Sequence, residues 1–82
     1  MDKIDKIIEK MRNSLHGHKF EDCQKVLISL GFIMREGKGS HVKFLKSELQ
    51  RPIIIAKHRP VVADAVKDVI NAYEKFGGFE HD

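Results

Sequence analysis

The chain has 82 residues, 41% of them hydrophobic and 33% charged, with a formal net charge of +3. That length and mix are enough for one globular domain and are unlike a disordered tract or a fibrous repeat. A chain of this size withdraws only about 60% of its unfolded surface from water, so each apolar stripe must serve one thin core. The single cysteine, Cys23, excludes an internal disulfide and a cysteine-based zinc cage. The opening Met1-Asp2-Lys3-Ile4-Asp5 carries acids where a secretory leader carries bases and then an apolar run. No apolar stretch approaches the roughly 20 residues that cross a bilayer, so a soluble, cytoplasmic protein with no membrane partner is expected.

In chain order, Ile4, Ile7, Ile8, Met11 and Leu15 recur at helical spacing among charged residues, which predicts an amphipathic helix from Asp2 to about Asn13. Leu15 to Lys19 breaks it, with Gly17 as the turn residue. A second helix is expected over Glu21 to Leu30, burying Phe20, Cys23, Val26, Leu27 and Leu30, with Glu21 and Asp22 at its positive end. Gly31 supplies the left-handed stop. Three short strands follow: Phe32–Glu36, Ser40–Lys46 and Pro52–Lys57. Gly37-Lys38-Gly39 and the polar Ser47–Arg51 connect them, and Pro52 is acceptable at a strand start. His58-Arg59-Pro60 leads into a last helix over Val62–Phe76, which Gly77-Gly78 ends before a frayed tail, Phe79 to Asp82.

The expected organisation is one domain over residues 1–82. A leading helix and loop occupy 1–19, an α-β-β-β-α core 20–76, and the tail 77–82. Strands joined by short turns form an antiparallel meander. The helices can bury their stripes only on one of its faces, leaving the other open. This α+β plan resembles the double-stranded-RNA-binding fold with an additional N-terminal helix.

Charge is unevenly placed. From Arg35 to Arg59 there are seven Lys or Arg residues against two acids, Glu36 and Glu48. Such a concentration suits a polyanion, through field steering and counterion release. Lysines simply solvating the edges of a small sheet would produce the same count.

The runs Leu30-Gly31-Phe32-Ile33-Met34-Arg35, Gly39-Ser40-His41-Val42-Lys43-Phe44 and Ile53-Ile54-Ile55-Ala56-Lys57-His58-Arg59-Pro60-Val61 together resemble the HicA family of bacterial toxins, small ribonucleases that cut messenger RNA. The resemblance covers Phe20 to Tyr73, and Asp2 to Phe20 is similar to the leading helix of the family's longer form. One departure is Ala56, where many members have proline. The resemblance implies that the Gly-Ser-His histidine, here His41, is catalytic. It also implies a HicB-like antitoxin partner that covers the site.

The residues make a parallel case. RNA cleavage without a metal needs a group that removes a proton from a ribose 2′-hydroxyl, and imidazole titrates near working pH. Lys43, two residues along the strand, projects to the same face as His41. Lys38, Gly39, Ser40, Lys57 and Arg59 lie at neighbouring strand ends, where cations and close backbone approach serve a phosphate. The expectation is an mRNA-cleaving endoribonuclease with no cofactor or metal; the alternatives are a non-catalytic RNA-binding module and a domain for an acidic protein partner.

A solvent-facing histidine without a task is the competing account of His41, and the motif context weighs against it. His58 is either an accessory proton-transfer or phosphate group or a structural residue near the last helix, with structure favoured. His16, His18 and His81 are read as solvated, and Cys23 as a buried hydrophobe. Phe32, Phe44 and Tyr73 are assigned to the core. The histidine spacings carry no metal-ligand pattern.

Overall fold

The computed structural model describes residues 3–77. Three helices and three strands run in the order α1 (Lys3–Asn13), α2 (Phe20–Ser29), β1 (Ile33–Glu36), β2 (His41–Leu45), β3 (Ile53–Ala56) and α3 (Ala63–Phe76). The architecture is α+β, with the strands in one antiparallel sheet of order β1-β2-β3. The expected elements are all present among the described residues, with ends differing by a residue or two. The strands are shorter than expected: Phe32, Ser40, Lys46, Pro52 and Lys57 fall outside the ladders. Asp2, Gly78 and the segment from Phe79 to Asp82, including His81, lie outside the described residues.

Alternation along β2 and β3 divides the sheet. Val42, Phe44, Ile53 and Ile55 are buried, whereas His41, Lys43 and Ile54 are exposed. The buried set meets Phe20, Cys23, Val26 and Leu27 of α2 and Ala65, Val66, Val69, Ala72 and Tyr73 of α3 in one core. Each fully buried aliphatic or phenyl side chain there contributes about 1.5–3 kcal/mol. Among the described residues, no helix packs on the other face of the sheet, and its outward side chains are exposed.

The α2–β1 connection is set by its glycine. Leu30 caps α2, Gly31 turns left-handed at φ +92, and its N–H donates to the Ile28 carbonyl at 3.0 Å. The Phe32 N–H donates to the Leu27 carbonyl at 3.1 Å, and both side chains are buried. These two bonds make a Schellman stop, which satisfies carbonyls that the helix leaves unpaired. The α2 last turn has no basic residue of its own. Lys46, at the end of β2, brings its Nζ within 3.0 Å of where a Gly31 Cβ would stand. The ammonium also lies 5.1 Å from the Phe76 ring centroid and 5.9 Å from that of Phe32. A cation thus meets the negative helix end and two aromatic faces at once.

α1 docks on α2 and α3, burying Ile8 and Met11. Tyr73 donates its hydroxyl to Asp5, and Arg12 pairs with Glu74 at 3.0 Å. The Val61 N–H donates to the His18 carbonyl at 2.9 Å, which ties the α1–α2 loop to the segment before α3.

Candidate nucleic-acid interface

The β1–β2 hairpin turns through Lys38, Gly39 and Ser40. Gly39 adopts φ +62, a conformation that favours glycine. The Gly37 N–H donates to the His41 carbonyl at 2.8 Å, and the His41 N–H donates to the Lys38 carbonyl at 3.3 Å. Residues equidistant from Gly39 therefore oppose each other: Arg35 faces Lys43, and Ile33 faces Leu45. On the other side, His41 pairs with Ala56 and Lys43 with Ile54.

The open face thus carries a cross-strand row of Arg35, Lys43 and Ile54, with His41 one step along β2 from Lys43. Directly opposed side chains have Cβ atoms about 4.5–5.5 Å apart. His41 and Lys43 are separated by about 6.5 Å along the strand. Ile33 and Ile54 are 61% and 49% exposed, so the cations stand among uncovered apolar groups. His41 makes no side-chain hydrogen bond among the described residues, and its ring is open to solvent.

The acids of this segment are engaged elsewhere. Glu36 accepts from Lys57 at 3.2 Å. Glu48 accepts from Ser47 at 2.9 Å and faces Lys46 at 3.8 Å. The Ser47 hydrogen bond, its own backbone amide and then Lys46 hold the Glu48 carboxyl below its usual range. Arg35, Lys38 and Lys43 consequently have no ion pair among the described residues. Two like charges placed directly opposite weaken a sheet, and a bound anion would relieve that opposition.

Of the residues singled out by sequence, His41 and Lys43 share the open face, and Lys38, Gly39 and Ser40 form the adjoining turn. The structure does not bring Lys57 and Arg59 to them. Lys57 shares the parity of Ile53 and Ile55, which turns it to the helical side, 5.9 Å from the Phe20 ring and paired with Glu36. Its backbone still serves the hairpin, donating to the Ser40 carbonyl at 2.9 Å. Arg59 pairs with Glu21 of α2 at 3.6 Å. His58 is exposed beyond the end of β3 and makes no hydrogen bond among the described residues. Arg35 joins the face although only its charge drew notice in the sequence; its equal distance from Gly39 is the signal that places it.

Gly37 adds a constraint beside His41. A Cβ there would stand 3.0 Å from the His41 carbonyl oxygen and 3.8 Å from its Cβ. The bare glycine lets the two backbones approach closely at the foot of His41.

The remaining histidines divide. His16 is exposed, whereas His18 is half-buried and donates from Nε2 to the Ser14 carbonyl at 2.6 Å. His18 is thus tethered within the α1–α2 loop while remaining partly open to solvent. Cys23 is wholly buried; desolvation, then the nearby Asp22 charge, push its thiol from 9.0 up to about 12. That environment suppresses the nucleophilic thiolate. Phe32, Phe44 and Tyr73 are buried as expected. Among the described residues, no three His, Cys, Asp or Glu side chains group as metal ligands, and no helix is long and apolar enough to cross a membrane. No protein-family model, curated protein or solved structure matches the chain.

Proposed function

We propose that the protein is an endoribonuclease toxin of a type II toxin–antitoxin system, HicA-like and built on a double-stranded-RNA-binding-like fold, that cleaves mRNA through His41. The observation that carries this reading is an uncovered imidazole on the same strand face as Lys43, with Arg35 opposed to that lysine and no carboxylate paired to either among the described residues.

In the proposed step, the His41 imidazole accepts the proton of a ribose 2′-hydroxyl. The O2′ forms a bond to the adjacent phosphorus, and the P–O5′ bond breaks. The leaving 5′-oxygen takes a proton from solvent. The products are a 2′,3′-cyclic phosphate and a 5′-hydroxyl. Arg35 and Lys43 stabilise the charge that builds on the phosphoryl oxygens, and Lys38 at the turn holds the neighbouring phosphate. The exposed Ile33 and Ile54 suit a HicB-like antitoxin laid over the same face.

The test is cleavage of single-stranded RNA by purified protein in the presence of chelator, with cyclic-phosphate ends as the product signature. Loss of general base catalysis in His41→Ala lowers the rate at least about 100-fold while the fold is retained. Undiminished cleavage by that variant removes His41 from the mechanism. A second reading, a non-catalytic RNA-binding module, is favoured by His41 being the only imidazole carried by the described strands themselves. It requires salt-dependent RNA affinity without any cleavage.

A further inference from the structure

On the helical side of the molecule, α1 and α2 enclose a second cationic feature. A cleft of about 250 Å³ is lined by Lys3, Lys6 and Lys10 of α1 and Lys25 of α2, with His18 at the loop and Asp22 as its one acid. Ile7 forms part of its floor. At 3.6 residues per turn, the three α1 lysines fall within about 60° of one another, and Lys3 to Lys10 spans about 10 Å along the axis. The helix segregates its charges: Asp5 is bonded to Tyr73 and Arg12 to Glu74, both toward α3, while the lysine stripe faces α2. None of the four lysines has an ion pair among the described residues. Lys6 and Lys10, four apart, repel on the same face. Such an arrangement costs the free protein stability and is relieved by an anion.

We propose that this cleft is a second binding site for a chain of phosphates, namely a single nucleic-acid strand. A lone phosphate is too short to face lysines that extend over about 10 Å of helix, whereas a strand presents successive phosphates along that length. The proposal extends the RNA reading but stands on residues shared with none of the sheet face. A strand held at both places would track from the hairpin face to the helical side, so the cleft adds affinity without taking part in cleavage.

The test uses His41→Ala protein, to keep the strand whole, titrated with a ten-nucleotide single-stranded RNA and separately with inorganic phosphate at equal phosphate concentration. The expected result is amide shifts at Lys6, Lys10 and Lys25 with RNA and not with inorganic phosphate. Adding Lys6→Ala and Lys10→Ala lowers the magnitude of the log–log salt slope by about 1.4, from two lost contacts at about 0.7 each. Lys6→Arg with Lys10→Arg retains it. The same titration on Arg35→Ala/Lys43→Ala separates the two sites: cleft shifts persist there even if the sheet reading fails. Shifts confined to the sheet, or an equal response to free phosphate, overturn the proposal.

Discussion

Arg35 and Lys43 are directly opposed partners in the β1–β2 ladder, on the face that no helix covers and with no carboxylate paired to either among the described residues. Opposed like charges destabilise a strand pair, so this row reduces stability in the absence of a ligand. Arg35→Glu turns the repulsion into attraction. The expected outcome is a gain of about 0.2–1 kcal/mol in urea unfolding together with weaker RNA binding at low salt. Loss of stability in that variant, with RNA affinity intact, contradicts the role given to this row.

The left-handed turn at Gly31 makes a second prediction. Any side chain there adopts a conformation that costs an L-residue roughly 1–2 kcal/mol, and its Cβ meets the Lys46 ammonium at 3.0 Å. Gly31→Ala is therefore expected to lower the unfolding free energy by about that amount, read as a lower denaturant midpoint with an unchanged slope. Gly17→Ala provides the comparison, since nothing lies within 4 Å of its Cβ position and only the backbone term applies.

Cys23 should resist alkylation. Burial holds the thiol at a pKa of about 12, so at pH 8 native protein is expected to react with iodoacetamide only through global opening. Labelling followed by mass spectrometry checks this. The rate should rise with urea in step with unfolding, and rapid labelling in buffer alone would show that the core is not closed.

Asp68 gives a pH dependence. Desolvation first, and then Asp64 one turn earlier, raise its carboxyl above the ordinary 3.8. The folded protein consequently holds this proton more tightly than the unfolded chain does. Stability from this group falls as pH rises from the unfolded value through the raised one. Asp68→Asn is expected to match the parent near pH 3 and to exceed it modestly above pH 6, because the like-charge pair four residues apart is gone. Thermal melts at both pH values read the difference; a variant less stable than the parent at high pH would contradict the assignment.

Helix periodicity and the Gly31 stop made the element order legible, because each stripe had one way to be buried. Alternation placed His41 and Lys43 on one face for the same reason. Arg35 required the register, and the register depends on where the hairpin turns: symmetry about Gly39 is visible in the sequence only once that residue is taken as its centre. Lys57 and Arg59 were grouped with His41 because they lie at neighbouring strand ends, yet the parity that exposes Ile54 turns Lys57 toward the helices. The seat of α1 between α2 and α3 was less legible, since an amphipathic stripe specifies that a helix is buried but not in which groove. His18 was missed because its partner is a backbone carbonyl, which leaves no signature in side-chain spacing.

The one-sided packing of the sheet separates two kinds of selective pressure. In β2, the even positions Val42 and Phe44 answer to the interior, while the odd positions His41 and Lys43 answer only to whatever approaches from outside. Lineages can therefore rewrite the outward residues, exchanging one recognition specificity for another, without renegotiating whether the chain folds. A scaffold of this kind can change what its outer face recognises while its interior stays fixed.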